Sequence, residues 1–182
     1  MLQSINKILL LMLLVAASLV SCNSGPTLQK YYVDNELKPG FLSQDIPTSF
    51  LNIEETTLNE EQKEAYKSVD KLNMISFVVS DDNKDQFEVE LTKVKTILED
   101  PKYDELMRGG NATDGKFIIK FLGEPENIDE LILFGYSNEK GFAIIRILGD
   151  DMNAGKLVKL GSELQNMDMD DKQLQQFMDF FQ

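Results

Sequence analysis

Asp81, Asn83 and Asp85 alternate along the chain, placing three oxygen-bearing side chains at the spacing of the first ligands of a calcium loop. Such a loop also wants glycine at its sixth position and a bidentate glutamate at its twelfth, and Gln86 and Thr92 stand there instead. A second acidic group, Asp168, Asp170 and Asp171, also adjoins a helix start. Helix capping and solubility explain both groups better than calcium does, so calcium-dependent adhesion is an alternative and no metal ligand is assigned. Paired carboxylates, Glu54 with Glu55, Glu124 with Glu126 and Asp129 with Glu130, could in principle serve glycoside hydrolysis. That chemistry needs two carboxyls facing one sugar at ~5 to 9.5 Å, a relation that adjacency in sequence does not establish. In a chain with 31 acidic residues such pairs arise without purpose, and no catalytic residue is assigned.

Two other spacings match catalytic patterns and fail on their context. Gly110 to Lys116 has the G-x-x-x-x-G-K form of a phosphate-binding loop. Phe117 stands where Ser or Thr would hold magnesium, and a strand follows where a helix N-terminus should face phosphate. Ser137 and Lys140 fit S-x-x-K, in which lysine activates a serine hydroxyl, but the companion S-D-N and K-T-G elements are missing. Both stretches read as turns.

The one cysteine has a clearer assignment. Lys7 is the only early charge; Ile8 to Val20 is an apolar run, and Ser21 and Cys22 follow. Cationic start, apolar core and small residues are the order of a secretory signal peptide, and the run is shorter than the ~20 residues of a membrane-spanning helix. Leu19-Val20-Ser21-Cys22 resembles a bacterial lipobox, in which the cysteine thiol is diacylglycerated, the leader is cut before it and the new amino terminus is acylated. Residues 1–21 are then a lipoprotein signal peptide, 22–30 a lipidated tether and 31–182 a single domain. Two or more acyl chains hold a protein on a membrane stably, which one does not.

Removal of the leader leaves 17 basic against 31 acidic residues, a formal charge of −14. Such a surface disfavours nucleic acid and offers no polybasic patch to anionic lipid, so membrane attachment rests on the lipid at Cys22. There is no histidine, which removes Ser-His-Asp triads, Cys-His pairs and histidine-ligated zinc. With Cys22 acylated there is neither a free thiol nor a disulfide, and tryptophan, a favoured platform for sugar stacking, is missing. No cofactor is implied.

The elements that must position any site follow from periodicity and punctuation. Asn23 to Lys30 reads as a short tether, and Tyr31 to Ile53, with Pro39-Gly40 and Pro47, as extended or irregular structure. Thr57 and Glu60 have capping-box spacing, and the helix they open is predicted to reach about Leu72 with Ala65, Tyr66, Val69 and Leu72 on one face. Met74 to Val79 is of strand type, and Phe87, Leu91, Val94 and Leu98 recur at helical spacing up to Pro101. Tyr103 to Met107 is a short strand candidate. The stretches KFIIKFL, ELILFGY and FAIIRIL, the last two joined by Ser137 to Gly141, predict an antiparallel meander. Asp150, Asp151 and Asn153 offer N-caps to a helix bearing Leu157, Leu160 and Leu164, and Leu174, Phe177, Met178 and Phe181 form a last apolar stripe. The expectation is one α+β domain: mainly antiparallel sheet, β-α-β and then a three-strand meander, with helices packed on it.

YDELMRGG, DGKFIIKFLG, IDELILFGYSNEKGFAIIRILGDDM and KLVKLGSEL resemble the domain-of-unknown-function family 4252, found mainly in small secreted proteins and lipoproteins of Bacteroidota. The likeness spans about residues 48–166 and is densest from Tyr103 to Leu164. That family has no agreed activity, so the resemblance implies a fold and a cell-envelope setting and no catalytic residue. Surface-exported lipoproteins of this bacterial group often carry an acidic run after the lipidated cysteine, and Asn23 to Thr27 has none. By that comparison the expected place is the outer membrane, facing the periplasm. The expected role is a non-catalytic binding module with an envelope protein or a ligand as partner. The alternatives are a histidine-free carboxylate hydrolase acting on envelope glycan and the calcium-dependent adhesion domain.

Overall fold

The apolar stretches at 117–122, 131–136 and 142–148 carry large side chains on both of their alternating faces, which only a sheet covered on both sides can bury. In the computed structural model of the chain, which describes residues 25–48, 58–111 and 115–164, they are neighbouring strands of such a sheet. The elements run α1 (Leu28–Asn35), β1 (Phe41–Pro47), α2 (Glu60–Lys67), β2 (Val69–Val78), α3 (Lys84–Leu98), β3 (Asp104–Asn111), β4 (Gly115–Glu124), β5 (Asn127–Ser137), β6 (Gly141–Met152) and α4 (Ala154–Leu164). The six strands lie in the order β1-β2-β6-β5-β4-β3, every neighbouring pair antiparallel. With the four helices they make one α+β domain, as the sequence predicts.

Helices α1 and α3 cover one face. Leu28, Tyr31 and Tyr32 of α1 and Phe87, Leu91, Val94, Ile97 and Leu98 of α3 meet Ile75, Phe77, Ile132, Phe134, Phe142 and Ile144 of the sheet. At its centre Phe77 stacks on Phe142 at 5.9 Å, and Phe41 meets Phe77 edge-on at 5.0 Å, the arrangements that aromatic quadrupoles favour. Helices α2 and α4 cover the other face, where Ala65, Leu157 and Leu160 pack with Phe121, Ile128, Leu131 and Met152. Lys156 of α4 pairs with Glu64 of α2 at 2.8 Å across their exposed sides.

Several local expectations are corrected. Of the segment from Tyr31 expected to be extended or irregular, Phe41–Pro47 is an extended edge strand, but Tyr31 to Asn35 are helical, and α1 begins at Leu28, inside the stretch read as tether. Thr27 caps it, its hydroxyl accepting from the Lys30 amide at 3.1 Å. The cap of α2 is Asn59 with Gln62, not Thr57 with Glu60: Asn59 Oδ1 accepts from the Gln62 amide at 2.9 Å and Gln62 Oε1 from the Asn59 amide at 2.8 Å. That helix stops at Lys67, because Val69 to Val78 pair along the length of β6, and a ladder buried on both faces outweighs the helical spacing of Val69 and Leu72. The meander has four strands, since β3 extends through Gly109 and Gly110 to Asn111 and precedes β4 in it. Asn153, rather than Asp150 or Asp151, caps α4, its Oδ1 accepting from the Lys156 amide at 3.0 Å while the two aspartates finish β6.

Candidate functional site

Between α1 and α3 the surface opens into a groove of about 600 Å³. Lys30, Asp34 and Lys38 of the α1 side and Thr92, Lys93 and Thr96 of α3 line it, with Tyr31 and Ile97 contributing apolar surface, and Gly25 reaches its rim. Lys93 is paired with the Glu90 carboxylate beneath it, so Lys30 and Lys38 against Asp34 leave the groove a slightly basic lining on a strongly acidic chain. A ligand suited to it carries negative charge on an apolar body.

Under the groove the polar groups are bound to one another. The Tyr31 hydroxyl donates to Glu90 Oε2 at 2.9 Å, and Lys93 donates to Glu90 Oε1 at 2.7 Å. Glu90 is buried, both of its oxygens are engaged, and its role here is to hold α1 against α3. Burial, and next the hydrogen bond to Glu90, push the Tyr31 phenol well above the usual tyrosine range. The Tyr32 hydroxyl donates to Asp45 Oδ1 at 2.9 Å, which also accepts from the side-chain amide of Asn73, and burial raises this phenol as well. The Asn35 side-chain amide returns to the Tyr31 carbonyl at 2.7 Å, and Lys38 donates to Asn35 Oδ1 at 2.9 Å.

A second polar group lies deeper on the same face. Arg146 of β6 donates through Nε to Glu130 Oε1 at 2.5 Å and through Nη2 to Glu130 Oε2 at 3.2 Å; both residues are 5% exposed. Its remaining arm, Nη1, donates to Gln29 Oε1 of α1 at 2.7 Å. The Tyr103 phenol is raised by burial and then by the nearby Glu130 carboxylate. At the end of α3, Lys120 donates to the carbonyls of Leu98 at 2.7 Å and Tyr103 at 2.8 Å, placing a cation at the negative end of the helix. Gln29, Tyr31 and Tyr32 thus fasten α1, the first described helix, to β6, α3 and β1.

The residues singled out in sequence are dispersed. Asn83 Oδ1 accepts from the Ser80 amide at 2.8 Å, and its Nδ2 donates to the Val78 carbonyl at 2.9 Å, closing the loop before α3. Asp81 pairs with Lys84 at 2.9 Å, and among the described residues no three His, Cys, Asp or Glu side chains are grouped to hold a metal ion. Gly110 and Lys116 are ladder partners in the antiparallel pair β3–β4, where no helix follows Lys116, and Ser137 Oγ accepts from the Lys140 amide at 3.0 Å in the β5–β6 turn. Glu124 and Glu126 sit at the exposed β4–β5 turn, while Asp129 is exposed and Glu130 buried within one strand. Cys22, Glu54, Glu55, the cluster from Asp168 to Asp171 and the stripe from Leu174 to Phe181 lie outside the described residues. Sequence reasoning missed Arg146 and placed Glu130 beside Asp129 rather than with Arg146, although each is the one charge at an inward position of an apolar strand.

Over residues 32–160 the chain matches the family described as Domain of unknown function (DUF4252), and it belongs to that family. No curated protein and no solved structure matches it.

Proposed function

We propose that this member of the family is a lipid-anchored, non-catalytic binding module of the cell envelope, held at Cys22 on the periplasmic side of the outer membrane. Its groove between α1 and α3 takes a partner segment bearing carboxylates on an apolar body. The observation that carries the reading is the position of that groove close to Cys22 along the chain. Gly25 stands at its rim, and Leu28, the first residue of α1, is already 1% exposed in the core. The stretch from Cys22 to the Thr27 cap is at most about 18 Å of extended chain, so a lipid on Cys22 holds the groove near the bilayer surface. A partner met there is another envelope component.

The basic lining supports an acidic partner, and the saturation of Glu90 by Tyr31 and Lys93 supports binding over acid-base chemistry. The experiment is fractionation of cells expressing wild type or Cys22→Ala. Wild type is expected in the outer-membrane fraction, shielded from protease on intact cells, and the variant in the soluble fraction. Wild type in the soluble fraction would refute the anchor.

A further inference from the structure

Strand β3 ends the sheet, and its outer side has no strand partner among the described residues. Seven of its eight residues are exposed, including Leu106 at 38% and Met107 at 44%. An open edge of this length is a template for another strand, which proteins either blunt or use. The charges here are arranged for use. Leu106 is an extra residue between the pairs Glu105↔Lys120 and Met107↔Ile119, a bulge that brings Glu105 and Arg108 onto one face of the sheet. Without it, residues three apart would point to opposite faces. Within one chain the Arg108 guanidinium grips the Glu105 carboxylate, an exposed pair.

The geometry points to β3 as a self-pairing edge: two copies join β3 to β3 antiparallel about a two-fold axis between Leu106 and Met107. In that register Glu105 of each copy faces Arg108 of the other, Leu106 faces Met107, and Asp104 faces Gly109. The bulge makes the register consistent with the pleat, because Glu105 and Arg108 share one face and Asp104 and Gly109, opposite Phe121 and Phe117, share the other. Moving the register two residues either way puts Glu105 opposite Gly110 or Leu106 and leaves the charges unmatched, so complementarity selects one alignment. A surface of this size makes a reversible dimer rather than an obligate one.

The test is sedimentation of the chain from residue 22 with Cys22→Ala, so that neither lipid nor thiol links copies, over a wide range of concentration. Wild type is expected to pass from monomer to dimer. Glu105→Arg and Arg108→Glu, each confirmed folded by circular dichroism, should stay monomeric to at least tenfold higher concentration. An equimolar mixture of the two should dimerise again. One chain then carries arginine at both positions and the other glutamate at both, so each facing pair across the axis is again of opposite charge. An ion pair that acts only within one chain would not produce that rescue. A wild type that stays monomeric, single variants that dimerise as wild type does, or a mixture that stays monomeric would each overturn the proposal.

Discussion

Arg146 and Glu130 meet diagonally across β6 and β5: Arg146 is the ladder partner of Ile132, and Glu130 lies two residues further along on the same face. Both are buried, and the third partner, Gln29, comes from the described helix nearest the amino terminus. A buried pair of this kind is worth little over an apolar substitute, but either half alone is costly. Arg146→Met, which leaves the Glu130 carboxylate buried without its partner, is expected to lower stability by about 3–5 kcal/mol. Arg146→Met with Glu130→Leu should recover most of that loss. Urea unfolding of the three proteins measures it, and a double variant no better than the single one would show that the pair matters beyond charge compensation.

Tyr31 ties α1 to α3 through Glu90, and its raised phenol sets a pH dependence. A group whose pKa is higher folded than unfolded contributes stability below its unfolded value and loses it as pH rises. The unfolded phenol titrates near pH ~10 while folded Tyr31 keeps its proton, so stability should fall above that pH by about 1.4 kcal/mol per unit for this residue. Tyr31→Phe should be less stable than wild type at neutral pH by about 1–3 kcal/mol, because Glu90 loses a donor. It should also lose stability less steeply above pH ~10, with the raised Tyr32 and Tyr103 accounting for the slope that remains. Unfolding curves between neutral and alkaline pH decide it, and parallel losses in the two proteins would contradict the assignment.

Two glycines should respond in opposite directions. Gly141 opens β6 at φ 111°, and a Cβ there would collide with the Phe77 carbonyl oxygen across the ladder, so Gly141→Ala is expected to cost at least about 3 kcal/mol. Gly161 lies within α4 with nothing within 4 Å of an added Cβ, and Gly161→Ala should raise stability by about 1 kcal/mol. Thermal melts of both variants test the described backbone at two separate places.

Strands β4, β5 and β6 could be read directly from sequence because they are apolar on both faces, a pattern set by burial alone, whereas exposed β3 showed only its first half. Helix α1 could not, since Leu28, Tyr31 and Tyr32 make barely two turns and are held by residues as distant as Glu90 and Arg146. Val69 and Leu72 fit a helix locally and became strand through pairing with β6, a contact absent from any local window. Asn59 and Thr57 both had a side-chain partner at capping distance in sequence, and only the start of α2 distinguishes them. The groove had no sequence signature, because its lysines and threonines come from two helices brought together by packing. Glu130 and Arg146 did have one: a single charge on the inward side of an apolar strand asks for a buried partner.

A photo-crosslinking residue at Thr96 should capture an envelope protein in intact cells, whereas the same residue at exposed Glu139, in the β5–β6 turn, should not. Lys30→Glu, which reverses one charge of the lining, should weaken that capture several-fold while leaving the melting temperature unchanged. Equal capture at both positions would show that the groove is not the contact.

The anchor is the claim on which cellular location and access to a partner both rest, and the mass of the amino-terminal peptide tests it most directly. Digestion of the protein isolated from a Bacteroidota host should yield a first peptide that begins at Cys22 and carries a diacylglyceryl group and an amide-linked acyl chain. An unmodified Cys22, or a mature chain that begins at any other residue, would contradict the account.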